Sequence, residues 1–203
     1  MENFKSVFNF VIRNIIFYGL ILGICSCTKN DLNLPLATMV ELDKRQEGLY
    51  LKSTGQIFTG YLIEYYPSGE ADRLHQVENI NMKSRSLIEN GKLNGLSEGW
   101  YPSGKKQIEE YFVNGKSHGI RIKWFSNGVK STEDKIENGV LNGTCRKWHK
   151  NGQLAEEINM VDGNAEGTAY SWYADGSKKA EVQLKMGKVI EQKFSDVKKK
   201  LSP

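Results

Sequence analysis

The sequence predicts an all-β protein: an elongated single-layer antiparallel meander of repeated β-hairpins, following a distinct N-terminal segment. Three observations predict it. Four residue markers recur in fixed phase every 24 residues. Short runs rich in Ile, Trp and Phe end at Asn-Gly or Asp-Gly, which supply the positive φ angles of tight hairpins. No stretch of the repeated region sustains a 3.6-residue apolar period with helix caps.

The markers come first, because internal repeats decide the architecture. Gly95, Gly119, Gly143 and Gly167 open four units. Five residues after each stands Trp100, Trp124, Trp148 or Trp172, and nine after each Gly104, Gly128, Gly152 or Gly176. Twenty after each comes Gly115, Gly139, Gly163 or Gly187. Each unit reads as two strands and two turns, as in "GIRIKWFSNG" followed by a second strand such as Gln107–Val113. A short step, "NGKSHG" (Asn114–Gly119), leads into the next unit.

An earlier copy opens at Gly60, with Tyr65 in the tryptophan slot and Gly69 at the turn. Its next Asn-Gly is Asn90-Gly91, so eleven extra residues lie within 70–89, as an additional strand or as a loop. An additional strand would invert every later unit relative to the first. Upstream, "GLYLKSTGQIFTG" (Gly48–Gly60) is expected to form a hairpin that starts the array.

Alternate side chains of a strand face opposite sides. The tryptophans are therefore expected in one column, with Ile120, Ile122 and Trp124 sharing a face in the third unit and Thr168, Tyr170 and Trp172 in the fifth. Equivalent positions, two strands apart, lie about 10 Å from each other. Phe112, Ile136, Met160 and Leu184 form a second apolar column, expected to fill the gaps. Glu109, Glu133, Glu157 and Glu181 form a carboxylate column. Each is expected to meet a cross-strand cation such as Arg121, Lys123, Arg146 or Lys147. Glycosidase carboxylates need separations of about 5–9.5 Å and unlike environments, which a regular column does not provide.

Cys145 and His149 lie four residues apart, a spacing that on a helix would make them neighbours. On a strand they are about 13 Å apart, too far for a shared metal or a nucleophile–base pair. His149 occupies the aromatic slot of Tyr101, Phe125 and Tyr173. His75 lies in the inserted segment and His118 in a turn, neither with a nameable partner. No phosphate loop, zinc-type spacing or nucleophile elbow is present. No catalytic residue, cofactor or metal is expected.

The first 26 residues are a different kind of text. Lys5 and Arg13 precede the apolar run Ile15–Ile24, which is too short to span a bilayer core and has the layout of a secretory signal. "ICSC" (Ile24–Cys27) resembles the bacterial lipobox, with Ser26 at −1 and Cys27 as the anchor. Choosing Cys25 instead would place bulky Ile24 at −1. The resemblance implies cleavage after Ser26 and thioether lipidation of Cys27. Several acyl chains hold a protein stably on a membrane, whereas one is marginal. Thr28 rather than Asp follows Cys27, which by the sorting rule of some diderm bacteria permits the outer membrane.

Cleavage would leave 177 of the 203 residues, one ordinary domain, with Cys145 as the only free thiol. It would also leave 26 Lys+Arg against 23 Asp+Glu, since the leader holds two basic residues and one acidic. That balance lacks the basic footprint of a nucleic-acid binder. The expected organisation is a signal peptide at 1–26, a lipidated cysteine and tether at 27–47 with room for a short strand or turn, the repeat domain at 48–190, and a basic tail at 191–203 containing Lys198–Lys200.

The "G-x4-W/Y-[YFH]-x2-G" half-unit and the "NG-x2-x-G" step, over roughly Gly48–Gly187, resemble the MORN-variant repeat, a shorter bacterial relative of MORN repeats found in YwqK-type antitoxins. The resemblance implies an elongated twisted sheet in which each repeat contacts mainly its neighbours. The expected function is a non-enzymatic, lipid-anchored module that binds a protein partner at the bacterial cell envelope. The alternative is an antitoxin or immunity protein that neutralises a toxin by contact. A glycan-binding or glycan-acting protein is a third, smaller reading.

Overall fold

The computed structural model describes residues 34–67 and 82–194. The leader 1–26, Cys27, Gly69, His75 and residues 195–203 lie outside the described residues.

The repeats form one antiparallel meander. The first unit pairs β4 (Gly60–Tyr65) with β5 (Met82–Glu89), and β5 continues to β6 (Lys92–Trp100) and β7 (Lys106–Val113). The next strands in line are β9 (Gly119–Trp124), β10 (Lys130–Glu137), β12 (Gly143–Trp148), β13 (Leu154–Val161), β15 (Gly167–Trp172), β16 (Lys178–Lys185) and β17 (Lys188–Phe194). Three two-residue strands, β8 (Lys116–Ser117), β11 (Val140–Leu141) and β14 (Asn164–Ala165), continue the second-half hairpins. Among the described residues there is no helix.

β4 and β5 are direct neighbours, with Gly60 opposite Ile88 and Tyr65 opposite Met82. Gly119 stands opposite Ile136 and Trp124 opposite Lys130 in the same way. The eleven extra residues therefore lie between Tyr65 and Met82, no strand separates β4 from β5, and the later units are not inverted.

The two hairpin turns of a unit are chemically different. At Asn90-Gly91, Asn114-Gly115, Asn138-Gly139, Asp162-Gly163 and Met186-Gly187 both residues have positive φ, the signature of a two-residue type I′ turn. At the other turn only the glycine does, as in Gly128 (φ 92) after Asn127. There Gly128 N–H donates to Phe125 O at 2.8 Å and Phe125 N–H to Val129 O at 2.8 Å, a three-residue loop with a glycine bulge. Asn-Gly thus serves two turn types in this chain.

The N-terminal segment departs most from expectation. Residues 34–47, expected as tether with a short strand or turn, carry two short strands: β1 (Leu36–Ala37) pairs parallel with β4, and β2 (Leu42–Arg45) forms a hairpin with β3 (Gly48–Leu51). The hairpin expected over Gly48–Gly60 forms around an antiparallel bridge between Tyr50 and Ile57, where Phe58 N–H donates to Leu49 O at 2.9 Å and Leu51 N–H to Gln56 O at 2.8 Å. β3 pairs backwards because Leu42, Phe58 and Ala37 converge on Ile88 to make the main buried core, with Leu49, Leu51, Leu62 and Leu93 packed around it. At the other end, β17 runs to Phe194, four residues beyond the expected end of the repeat domain at 190.

Candidate binding faces of the repeat sheet

Directly opposed residues on neighbouring strands share a face of the sheet, so the register sorts every recurring residue. One face carries a continuous row: Ile63, Arg85, Glu98, Glu109, Ile122, Glu133, Arg146, Glu157, Tyr170, Glu181 and Lys193. The expected carboxylate column is thus embedded in a mixed row, with Glu98 added.

A bulge explains what stands beside that row. In each unit one extra residue (Lys83, Gln107, Ser131, Ala155 and Lys179) interrupts the second strand just after the turn. Residues three apart normally face opposite ways on a strand, and the extra residue brings them to the same face. Lys106 therefore reaches Glu109 at 2.7 Å, Lys130 reaches Glu133 at 2.7 Å and Lys178 reaches Glu181 at 2.5 Å. These lysines stand opposite Trp100, Trp124 and Trp172, and Leu154 stands opposite Trp148. Lys106 Nζ also lies 5.8 Å from the centre of the Trp124 ring, and Lys130 Nζ 5.2 Å from that of Trp148. The tryptophan column is therefore an alternating ladder, Trp100–Lys106–Trp124–Lys130–Trp148–Leu154–Trp172–Lys178, in which cations fill the gaps between half-buried indoles. The Lys-x-x-Glu spacing recurs in the sequence, but only the bulge gives it meaning.

The gaps were expected to be filled by Phe112, Ile136, Met160 and Leu184. These residues instead stand opposite Gly95, Gly119, Gly143 and Gly167, on the other face. The physical reason is the bulge: the extra residue after the turn reverses the alternation along the rest of the second strand. Gly143 also needs its missing side chain: a Cβ there would lie 2.5 Å from Lys135 Cδ.

The electrostatics of the ladder face follow from shared ions. Glu98 is buried and accepts from Lys106 at 2.8 Å and Arg85 at 2.7 Å. Burial pushes its carboxyl up, and the bonds from Lys106 and Arg85 outweigh that and hold it below the usual range. The Lys130 hydrogen bond lowers Glu133 in the same way. Arg146 bridges Glu157 at 2.6 Å and Glu133 at 3.5 Å, as expected for that arginine. Arg121 and Lys147 serve the opposite face, pairing with Asp134 at 2.9 Å and with Glu156 at 2.7 Å. Glu98 and Glu109 face each other across one shared ammonium. Glycoside hydrolysis needs a carboxyl whose pKa is raised, the reverse of the shift at Glu98.

Next to the ion-paired row the same face exposes large apolar side chains. Leu96 stands opposite Tyr111, and Ile120, two residues from Ile122 on β9, lies on the same face of the sheet. They are 39%, 49% and 48% exposed. The expected column member Ile120 is therefore open to solvent, while Ile122 and Trp124 beside it are half-buried.

Cys145 and His149 have separate surroundings. Cys145 is buried on the opposite face beside Ile158, and burial pushes its thiol up, which makes it less reactive. It lines a shallow depression of about 230 Å³ with Ala169 and Val182. His149 Nε2 lies 2.9 Å from Trp172 O in the next unit. Tyr101 OH donates to Trp124 O at 2.7 Å, and Tyr66 OH to Trp100 O at 2.7 Å, from the same repeat position. The imidazole thus fills a tyrosine's structural place. Among the described residues no group of three or more His, Cys, Asp or Glu side chains is placed to hold a metal.

Residues 93–114 and 141–162 match the family model described as the MORN repeat variant. The two stretches start two repeat periods apart, and each runs from the step between units to the type I′ turn. No curated protein matches the chain. Over those two stretches, and in its hairpin meander, this chain is similar to MORN repeat variant proteins and is built as a repeat-based binding module.

Proposed function

We propose that this protein is a non-enzymatic repeat lipoprotein, held on a membrane of the bacterial cell envelope through Cys27, that docks a protein partner on its ladder face. The observation that carries the docking is the set of exposed apolar side chains Leu96, Tyr111 and Ile120 on one face, bordered by the ion-paired carboxylates Glu98 and Glu109, with the tryptophan–lysine ladder beyond them. Interfaces between proteins have this make-up, with aromatic and apolar side chains at the centre and a polar rim. The ion pairs are satisfied within the sheet, so they set orientation and exclude wrong partners rather than supply most of the affinity. The anchor rests on the lipobox-like "ICSC". Neutralisation of a toxin by contact is one form of the same docking.

Two measurements test the proposal. Cys27→Ala should abolish incorporation of labelled palmitate and release the chain from membranes; continued labelling would refute the anchor. A photo-crosslinking residue at Tyr111 should capture a single stoichiometric protein in the native cell, and one at Lys147, exposed on the opposite face, should not. A toxin encoded beside this gene, recovered by the Tyr111 crosslink, would specify the immunity role.

A further inference from the structure

The two ends of the sheet are finished differently. At the N-terminal end the edge strand β1 has two residues, and the β2–β3 hairpin and Phe58 add a buried core to the first unit. At the C-terminal end β17 pairs with β16, and among the described residues nothing pairs with its outer side. All seven residues of β17 are exposed, with Val189 at 58%, Ile190 at 66% and Phe194 at 69%. An edge strand offers a row of unpaired N–H and C=O groups, a template for strand addition.

We propose that the β17 edge pairs antiparallel with the β17 edge of a second copy of this chain, about a two-fold axis passing at Gln192. The bulge at Ile190 confines the regular run of β17 to Glu191–Phe194, which stand opposite Gln183, Val182, Glu181 and Ala180. A two-fold axis perpendicular to the sheet keeps every residue on its own face, so the axis must pass at a residue. At Glu191 it would set glutamate against glutamate, and at Lys193 lysine against lysine, both unfavourable when directly opposed. At Phe194 it would carry the pairing outside the described residues. At Gln192 it sets Glu191 against Lys193 twice and Gln192 against Gln192. That register joins two opposite-charge pairs and an amide pair that can hydrogen-bond to itself. The sheet would continue across the axis, and each copy would supply the finish that the other's C-terminal edge lacks.

The test uses the full-length chain in detergent solution, with Gln192→Cys as the probe. Residues directly opposed across an antiparallel pair have Cα atoms about 4.5–5.5 Å apart, within disulfide reach. Gln192→Cys should form a covalent dimer on mild oxidation about tenfold faster than Lys188→Cys or the unsubstituted chain, since only position 192 faces itself. On the Gln192→Cys background, Glu191→Lys alone and Lys193→Glu alone should each weaken association about tenfold or more. Mixing the two should restore it, because each then presents the charge the other lacks, and that recovery excludes misfolding as the cause. No covalent dimer at position 192, equal reaction at 188, or indifference to the charge reversals would overturn the proposal. The pairing does not depend on the anchor: a chain that dimerises through Gln192 without carrying lipid would refute the anchor alone.

Discussion

His149 shows how a reactive residue type can be given a structural task by its repeat position. Its slot holds a ring, and His149 uses that ring to reach the tryptophan carbonyl of the next unit, as the Tyr101 hydroxyl does two units earlier. His149→Phe should therefore cost about 1 kcal/mol, the net worth of one hydrogen bond, whereas His149→Tyr should retain the wild-type urea midpoint. The aromatic role was legible from the sequence, because Tyr101, Phe125 and Tyr173 fill the same position; the carbonyl partner was not, since it lies in another unit. Glu98 is a second case. It falls outside the 24-residue glutamate column, so only the register reveals that it shares Lys106 with Glu109. Glu98, Glu133 and Glu181 are all held below their ordinary value of 4.5. Carboxyls depressed in the folded state contribute stability that is complete above that value and is lost as pH falls through the folded values. The melting temperature should be level from about pH 7 to 5 and decline below about 4.5. With Glu98→Gln that decline should be shallower, because one of the titrating groups is gone; an unchanged slope would mean that Glu98 gains nothing from its two cations.

At the scale of the element, the recurring unit is a hairpin with a bulge, closed by two different turns. The Gly and Trp spacings made the hairpins legible without a structure. The facing of their side chains was less so: a bulge reverses the alternation, which hid the Lys–Glu pairs of Lys106, Lys130 and Lys178 and misplaced Phe112 and its equivalents. Turn chemistry gives the sharpest prediction here. Met186 adopts φ 50 at the type I′ position that Asn90, Asn114 and Asn138 fill elsewhere, and it is exposed. Asparagine visits this left-handed region more readily than methionine, so Met186→Asn should stabilise the last hairpin by several tenths of a kcal/mol to about 1 kcal/mol. Gly139 (φ 87) is the converse case, and Gly139→Ala should destabilise by about 1 kcal/mol or more. Both effects would be read from thermal or urea unfolding, and a destabilising Met186→Asn would show that the turn geometry is wrong.

At the scale of the whole described chain, stability is distributed unevenly. The main apolar cluster lies at the N-terminal end, around the fully buried Ile88 and Phe58, while later units rely on half-buried tryptophans, shared ions and backbone bonds between units. That cluster was the least legible part of the fold, because Leu36–Ala37 and Leu42–Arg45 are short and carry no repeat marker. In a quasi-one-dimensional array each unit is supported mainly by its neighbours. Ile88→Ala should cost about 2–5 kcal/mol and should deprotect the amides of β4, β5 and β6 in hydrogen exchange before those of β12 and β13. Uniform deprotection would show that the sheet unfolds as one unit. The arrangement leaves the ladder face of the second and third units open, and the central claim is that this face docks a protein. Photo-crosslinking in the native cell tests it most directly, with the reactive residue placed in turn at Tyr111 and at Lys147. One stoichiometric protein should be captured from Tyr111 and none from Lys147; capture from Lys147 alone, or from neither position, would refute docking on the ladder face.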